Sequence, residues 1–176
     1  MLDISHSAIT GEDPSAEIVL GGMFGKPTGK GALKASSFLK RLYKSPGVKE
    51  DFDGVSLHPY SPTVDGIESQ VERIRKVLKQ KKDKGADLWI TEIGWGSKNK
   101  GRLGVGKSKQ GKLLKQAFKL LLKKRGKWHV GGVFWYTWRD IANAPCDWCG
   151  SAGLFGQSGL DPKPAWGKFV RFTGGS

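Results

Sequence analysis

The chain has 176 residues, 38% of them hydrophobic and 26% charged, with seven Trp and eight Phe. That length and composition suit one globular domain and exclude a disordered segment, and no apolar run approaches the ~20 residues of a membrane span. The formal net charge is +14, from 30 Lys plus Arg against 16 Asp plus Glu, an excess whose positive field attracts polyanions.

From the N-terminus, Met1-Leu2-Asp3-Ile4-Ser5 lacks the basic region and apolar stretch of a secretory signal. A first strand is predicted over 17–22, after the turn-like Gly11-Glu12-Asp13-Pro14, and a helix over 32–43 carries Leu33, Phe38, Leu39 and Leu42. A second strand covers 52–58. The helix that follows, 67–84, puts Ile67, Val71, Ile74, Val77 and Leu78 on one stripe. A third strand covers 86–92 and runs into a Gly/Lys/Ser-rich loop, 97–108, of the kind that carries function in a barrel. The next helix, 112–124, presents Leu113, Leu114, Ala117, Phe118, Leu121 and Leu122; a fourth strand covers 130–138, and 164–172 adds a last helix.

Much of the positive charge lies in 71–84 and 107–127, where Lys and Arg fill the positions between apolar residues. That is the pattern of a solvated helix face. No nucleic-acid module has its signature here, so nucleic acid is the less favoured partner.

Short apolar runs bounded by Gly, Pro and Asp suit strands buried on both faces of a parallel sheet. Their recurrence every 35 to 45 residues or so suits βα units with right-handed crossovers. The fold class is therefore α/β, with parallel βα repeats in a single domain over 1–176. Four such units make half of a TIM (β/α)8 barrel, which typically takes about 250 residues. A stand-alone four-stranded sheet is the competing architecture, and either form exposes two strand edges that favour self-association.

The two cysteines, Cys146 and Cys149, are spaced C-x-x-C. One pair is too few for a four-thiolate zinc site, and His129 has no second ligand at finger spacing, so no metal is expected. Ala144-Pro145-Cys146-Asp147-Trp148-Cys149-Gly150 reads as a loop. A loop-closing disulfide in an extracellular protein and two free thiols both remain open.

Ligands of parallel α/β folds bind at the carboxyl ends of the strands. There the second strand ends in Leu57-His58-Pro59-Tyr60, the third in Thr91-Glu92-Ile93-Gly94-Trp95 and the fourth in Trp135-Tyr136-Thr137-Trp138-Arg139-Asp140. A carboxylate, an imidazole, phenols and indoles at one end of one sheet suit sugar chemistry: aromatic faces stack on pyranose C–H faces while polar groups fix hydroxyls. Glu92 ends an apolar strand, where an idle carboxylate carries a desolvation cost. The alternative for Glu92 is an ion pair at the barrel mouth. For His58 it is a hydrogen-bonded structural role, and for Tyr60 a cap on the core.

Leu88-Trp89-Ile90-Thr91-Glu92-Ile93-Gly94-Trp95 resembles the seventh strand of clan A glycoside hydrolases, whose T-E-x-G-W pattern holds the catalytic nucleophile. Val55–Tyr60 resembles the sixth strand, Val133–Asp140 the eighth and Ile18–Met23 the fifth; Gly153-Leu154-Phe155 through Asp161-Pro162-Lys163-Pro164-Ala165-Trp166 is similar to the closure before the last helix. The match covers nearly the whole chain as strands five to eight, and is nearest to family 39 and family 5-like β-glycosidases of bacteria. The resemblance implies a retaining O-glycosidase acting on an oligosaccharide or polysaccharide, with no cofactor and an extracellular parent protein. It implies Glu92 as nucleophile, Tyr60 or His58 holding its carboxylate ionised, and Trp95, Trp135, Trp138 and Asp140 as further substrate contacts. Strand alternation turns only one of Trp135 and Trp138 inward, and Trp135 is favoured as the platform under the sugar ring.

One departure matters. The clan's acid/base is a Glu preceded by Asn on the fourth strand, and the two asparagines here, Asn99 and Asn143, precede Lys100 and Ala144. Of the other glutamates, 12, 17 and 50 lie at the wrong end of the sheet and 68 and 72 in a helix. The first residues resemble the helix after that fourth strand, which implies N-terminal truncation, with the missing barrel half as partner. The isolated chain is then expected to be inactive or nearly so. A carbohydrate-binding pseudoenzyme and a basic α/β domain that binds nucleic acid or anionic surfaces are the other readings.

Overall fold

Runs of Val, Leu, Ile and Trp punctuated by Gly and Asp form four strands, β1 (Val19–Phe24), β2 (Gly54–His58), β3 (Asp87–Ile93) and β4 (Val130–Trp135). In this computed structural model, which describes residues 1–174, they make one parallel sheet in the order β1-β2-β3-β4. The register lines up Leu20 with Val55, Val55 with Leu88 and Leu88 with Val130, so one apolar row crosses all four strands. Six helices accompany them: α1 (Leu2–Glu12), α2 (Ala35–Leu42), α3 (Val64–Gln80), α4 (Lys107–Lys123), α5 (Arg125–Trp128) and α6 (Trp166–Thr173). The alternation of parallel strand and helix is the predicted βα repeat.

The apolar stripes of the helices account for the core. Leu39 of α2, Ile67, Ile74 and Leu78 of α3, and Leu114 and Leu121 of α4 are almost wholly buried, as are Val55, Leu57, Leu88 and Ile90 of the sheet. Each such side chain contributes roughly 1.5–3 kcal/mol relative to exposure.

Element ends shift from expectation for local reasons. Helix α3 starts at Val64 because the Thr63 side chain accepts from Gly66 N–H at 3.2 Å and caps it. Helix α4 begins at Lys107, five residues before the apolar stripe suggests. Its first turn buries a glutamine and a glycine, Gln110 and Gly111, so hydrophobic spacing does not reveal it. Strand β4 stops at Trp135. Beyond Tyr136 the backbone leaves β3 and bonds instead to 152–155, through Thr137 N–H to Ala152 C=O and Leu154 N–H to Trp138 C=O.

The second face of the sheet and both edges stay open. Trp89 stacks on Phe134 at 6.2 Å, and Phe134 and Phe24 are 52% and 49% exposed. In a closed barrel such inward positions fill the interior. Here β1 and β4 are sheet edges, and the four units build an open wall.

Candidate active site

At the carboxyl end of β3, Glu92 receives a hydrogen bond from Tyr60, Oη to Oε2 at 2.8 Å. The same oxygen lies 3.2 Å from His58 Nδ1, a close contact without hydrogen-bond geometry. His58 Nε2 is 3.0 Å from Thr91 Oγ1, which is 2.8 Å from Ser56 Oγ. The three side chains form one row, Ser56–Thr91–His58, in which the donor and acceptor roles follow the tautomer of the imidazole. The row holds because Ser56 and His58 alternate onto the same face of β2 while Thr91 meets them from β3. Gly22 makes room for it, since a Cβ there would lie 2.4 Å from His58 Nε2.

Burial pulls the His58 imidazole below its ordinary pKa, and the neighbouring carboxylate only partly offsets this. Burial pushes the Tyr60 phenol far above its own, and its bond to Glu92 pushes further, so Tyr60 stays a donor. Tyr136 is raised too, by burial first and then by Glu92. Glu92 thus takes one hydrogen bond, from a phenol, with a third of its side chain open to solvent.

The opening is a cleft of about 380 Å³. Phe24, Tyr60, Tyr136 and Trp148 give it aromatic walls, Leu103 and the Cys146–Cys149 disulfide close one side, and Lys26 and Arg102 stand on its border. Glu92 is the one carboxylate among its lining residues. Trp148 lies between the two bonded cysteines and packs edge-on against Tyr60, with ring centroids 4.8 Å apart, so the small disulfide loop contributes a wall.

The site residues expected from sequence divide into two groups. Glu92, Tyr60 and His58 come together. Trp95, Trp135, Trp138 and Asp140 do not reach the cleft, and each has a different occupation. Trp95 is fully buried and donates from Nε1 to Ser61 C=O at 2.7 Å, tying the loop after β2 to the end of β3. Trp135 packs on Trp95 and donates to Ala152 C=O at 3.0 Å. Trp138 lies on Phe155 and Trp166, half exposed. Asp140 accepts from the buried Lys163 ammonium and from Gly153 N–H at 3.0 Å, which anchors the loop after β4.

Tyr136, one residue beyond the favoured platform, is the residue of β4's end that faces Glu92. Its position follows from Gly94, where a Cβ would collide with Tyr136 C=O at 2.2 Å. The glycine of T-E-x-G-W therefore lets the two strand ends close up. Lys163, the lysine of P-K-P-A, was another silent residue: it also donates to Ser97 Oγ (2.9 Å) and Ser151 C=O (3.1 Å). Among the described residues no group of three His, Cys, Asp or Glu could hold a metal ion, and no helix is long and apolar enough to cross a membrane.

No protein-family model matches the sequence, and no curated protein matches it. The fold does match solved structures. Over 94% of its length the chain superposes on 34% of a family 39 glycoside hydrolase from the gut symbiont Bacteroides cellulosilyticus WH2, with TM-score 0.66 and 20% identity. It covers 97% of itself and 51% of xylanase 10B from Thermotoga maritima, at TM-score 0.63 and 18% identity. Against a GH5_18 protein from Bifidobacterium longum subsp. infantis the shares are 98% and 51%, at TM-score 0.56 and 12% identity. The chain thus spans a third to a half of the length of these proteins. Its four parallel strands correspond to the C-terminal half of the (β/α)8 barrel of clan A glycoside hydrolases.

Proposed function

We propose that this chain carries the nucleophile side of a retaining O-glycoside hydrolase site, with Glu92 as the attacking carboxylate and a polysaccharide or oligosaccharide as substrate. The observation that carries the reading is the Tyr60–Glu92 bond inside an aromatic cleft at the carboxyl end of the sheet. A nucleophile of this kind has to be ionised and aimed while staying unneutralised by a cation. A neutral phenol donor achieves both, and an ammonium would blunt the attack. In the first step the Glu92 oxygen bonds to the anomeric carbon as the bond to the leaving oxygen breaks, giving a covalent glycosyl-enzyme. Water then releases the sugar. Tyr60 and the His58 contact position the carboxylate, and Tyr136 and Trp148 offer faces for a pyranose ring.

Retention requires a second carboxyl group about 5–5.5 Å from the first. Glu92 is alone in its cleft and Asp140 is occupied by Lys163, so the acid/base has to come from a second barrel half seated on the open face. Alone, these 176 residues are expected to hydrolyse natural glycosides at most very slowly, since general acid catalysis is worth roughly 10²–10⁴-fold. The single carboxylate also favours a second reading, a carbohydrate-binding module that keeps the aromatic walls and performs no chemistry.

The two readings part on a substrate that needs no acid. With 2-deoxy-2-fluoroglycosyl fluorides of common pyranoses, fluoride leaves unprotonated and the sugar stays on the nucleophile. Mass spectrometry of the chain is expected to find the adduct on Glu92 and to lose it in Glu92→Gln. An adduct elsewhere, or none with any sugar, would sink the nucleophile assignment.

A further inference from the structure

Two cations border the Glu92 cleft, and both are held there by glycine-built loops. Lys26 follows Gly25, whose N–H donates to His58 C=O at 3.1 Å and whose Cα lies so close to Gln70 that a Cβ would sit 2.0 Å from its side-chain oxygen. Arg102 follows Gly101, which has φ +67°, and precedes the buried Leu103. That loop is clamped by Gly96 N–H to Leu103 C=O and Val105 N–H to Gly96 C=O, both at 2.9 Å. Among the described residues neither Lys26 nor Arg102 takes part in an ion pair, as holds for every Lys and Arg except Lys100, Lys124 and Lys163.

The wider charge pattern leans the same way. Between Glu92 and Asp140 the chain carries 13 Lys and Arg and no Asp or Glu, while the rest holds 17 against 16. The net charge of the protein is therefore that of β3's end, the following loop, α4, α5 and β4. A neutral sugar gains little from two cations at a cleft that already contains a carboxylate. An anionic sugar needs them, both to steer it in and to offset its repulsion from Glu92.

We propose that the glycan taken by this cleft is acidic, a uronic-acid-containing chain whose carboxylate is received by Arg102 and Lys26 beside the sugar held at Glu92. The inference rests on the glycosidase reading of Glu92 and adds its substrate class. Arg102 supplies the planar fork that matches a carboxylate, and Lys26 supplies a compact charge from the opposite loop. The lysines of α4 act differently: they raise the field at a distance and have no part in the contact.

The test is binding of the purified chain, by calorimetry, to a panel of uronic-acid oligosaccharides and to the same oligosaccharides with their carboxyl groups reduced to alcohols. At least one acidic member is expected to bind about tenfold or more tighter than its reduced counterpart. Arg102→Ala and Lys26→Ala are each expected to remove most of that ratio, a tenfold loss being about 1.4 kcal/mol. The triple variant Lys112→Gln, Lys115→Gln, Lys119→Gln is expected to keep the ratio. Equal binding of acidic and reduced forms overturns the proposal, and so does a ratio that falls as far in the triple variant as in Arg102→Ala. Preference for dextran sulfate over every uronate overturns the carboxylate assignment. Adduct formation on Glu92 with neutral fluorosugars separates the cases: if it succeeds while no uronate is preferred, the substrate class fails and the glycosidase reading stands. If no sugar binds or labels, that reading falls as well.

Discussion

Glu92 near the end of β3 and Asp140 in the loop after β4 are two carboxylates at neighbouring strand ends, each in a segment that resembles a glycosidase motif, yet they meet opposite fates. Glu92 faces a cleft and is held by a phenol at 2.8 Å, with an imidazole in close contact at 3.2 Å and, among the described residues, no Lys or Arg paired with it. Asp140 is nine-tenths buried against an equally buried ammonium, Lys163, and a backbone N–H. The contrast separates a carboxylate that can act from one that holds the scaffold. A neutral donor orients without neutralising. A buried lysine neutralises, and with its bonds to Ser97 and Ser151 it ties together the loops that shape the site.

The largest expected effect comes from breaking the second arrangement. Lys163→Met leaves Asp140 buried without its partner and should destabilise the chain by about 3–5 kcal/mol, read as a lower denaturation midpoint in urea with the slope unchanged. The double variant Asp140→Leu, Lys163→Met removes both charges and is expected to recover most of that loss, because a well-packed apolar pair replaces a desolvated one. Failure of the double variant to recover would mean that Lys163 acts mainly through Ser97 and Ser151.

The difference between the two carboxylates was only half legible in the sequence. Short apolar runs and helical stripes are dictated by burial, so the four βα units and their order could be read directly. Glu92 could be read because a carboxylate ending an apolar strand needs a reason to be there. Where aromatic residues face could not be read, because alternation separates Trp135 from Trp138 without saying which side of β4 turns inward, and the β3–β4 register shifts in two places. Tyr136 then turns to the cleft while Trp135 and Trp138 pack elsewhere. Trp148 and Arg102 were hidden for another reason: they lie in loops whose paths depend on a disulfide and on glycines 101 and 104. The role of Lys163 depends on partners 12 to 66 residues away, which no local pattern reveals.

A smaller effect is expected where the neutral donor is removed. Tyr60→Phe deletes one hydrogen bond to a partly solvated carboxylate and should lower stability by about 1 kcal/mol. Its larger consequence is at Glu92, which loses its orientation. Labelling by a fluorosugar should slow by roughly tenfold, the factor that goes with about 1.4 kcal/mol in the transition state. A slowed reaction with stability nearly intact sharpens the comparison, and unchanged labelling would leave Tyr60 as a structural cap.

The smallest effect is in pH dependence, and its sign follows from burial. His58 has its pKa pulled down in the folded chain because charging a buried ring is unfavourable, and Glu92 only partly compensates. The unfolded chain therefore takes up a proton at His58 at higher pH, near the ordinary value of about 6.5. As pH falls through that value the unfolded state binds more protons than the folded state, so the stability present above it is lost on the way down to the folded pKa. A thermal scan from pH 7.5 to 5.5 should show the melting temperature falling. His58→Gln, which removes the titrating ring, should flatten that slope, and Lys163→Met should lower the whole curve and keep it. The opposite slope would mean that Glu92 outweighs burial and holds His58 as a cation, turning the site around Glu92 into an ion pair of the kind Asp140 already makes.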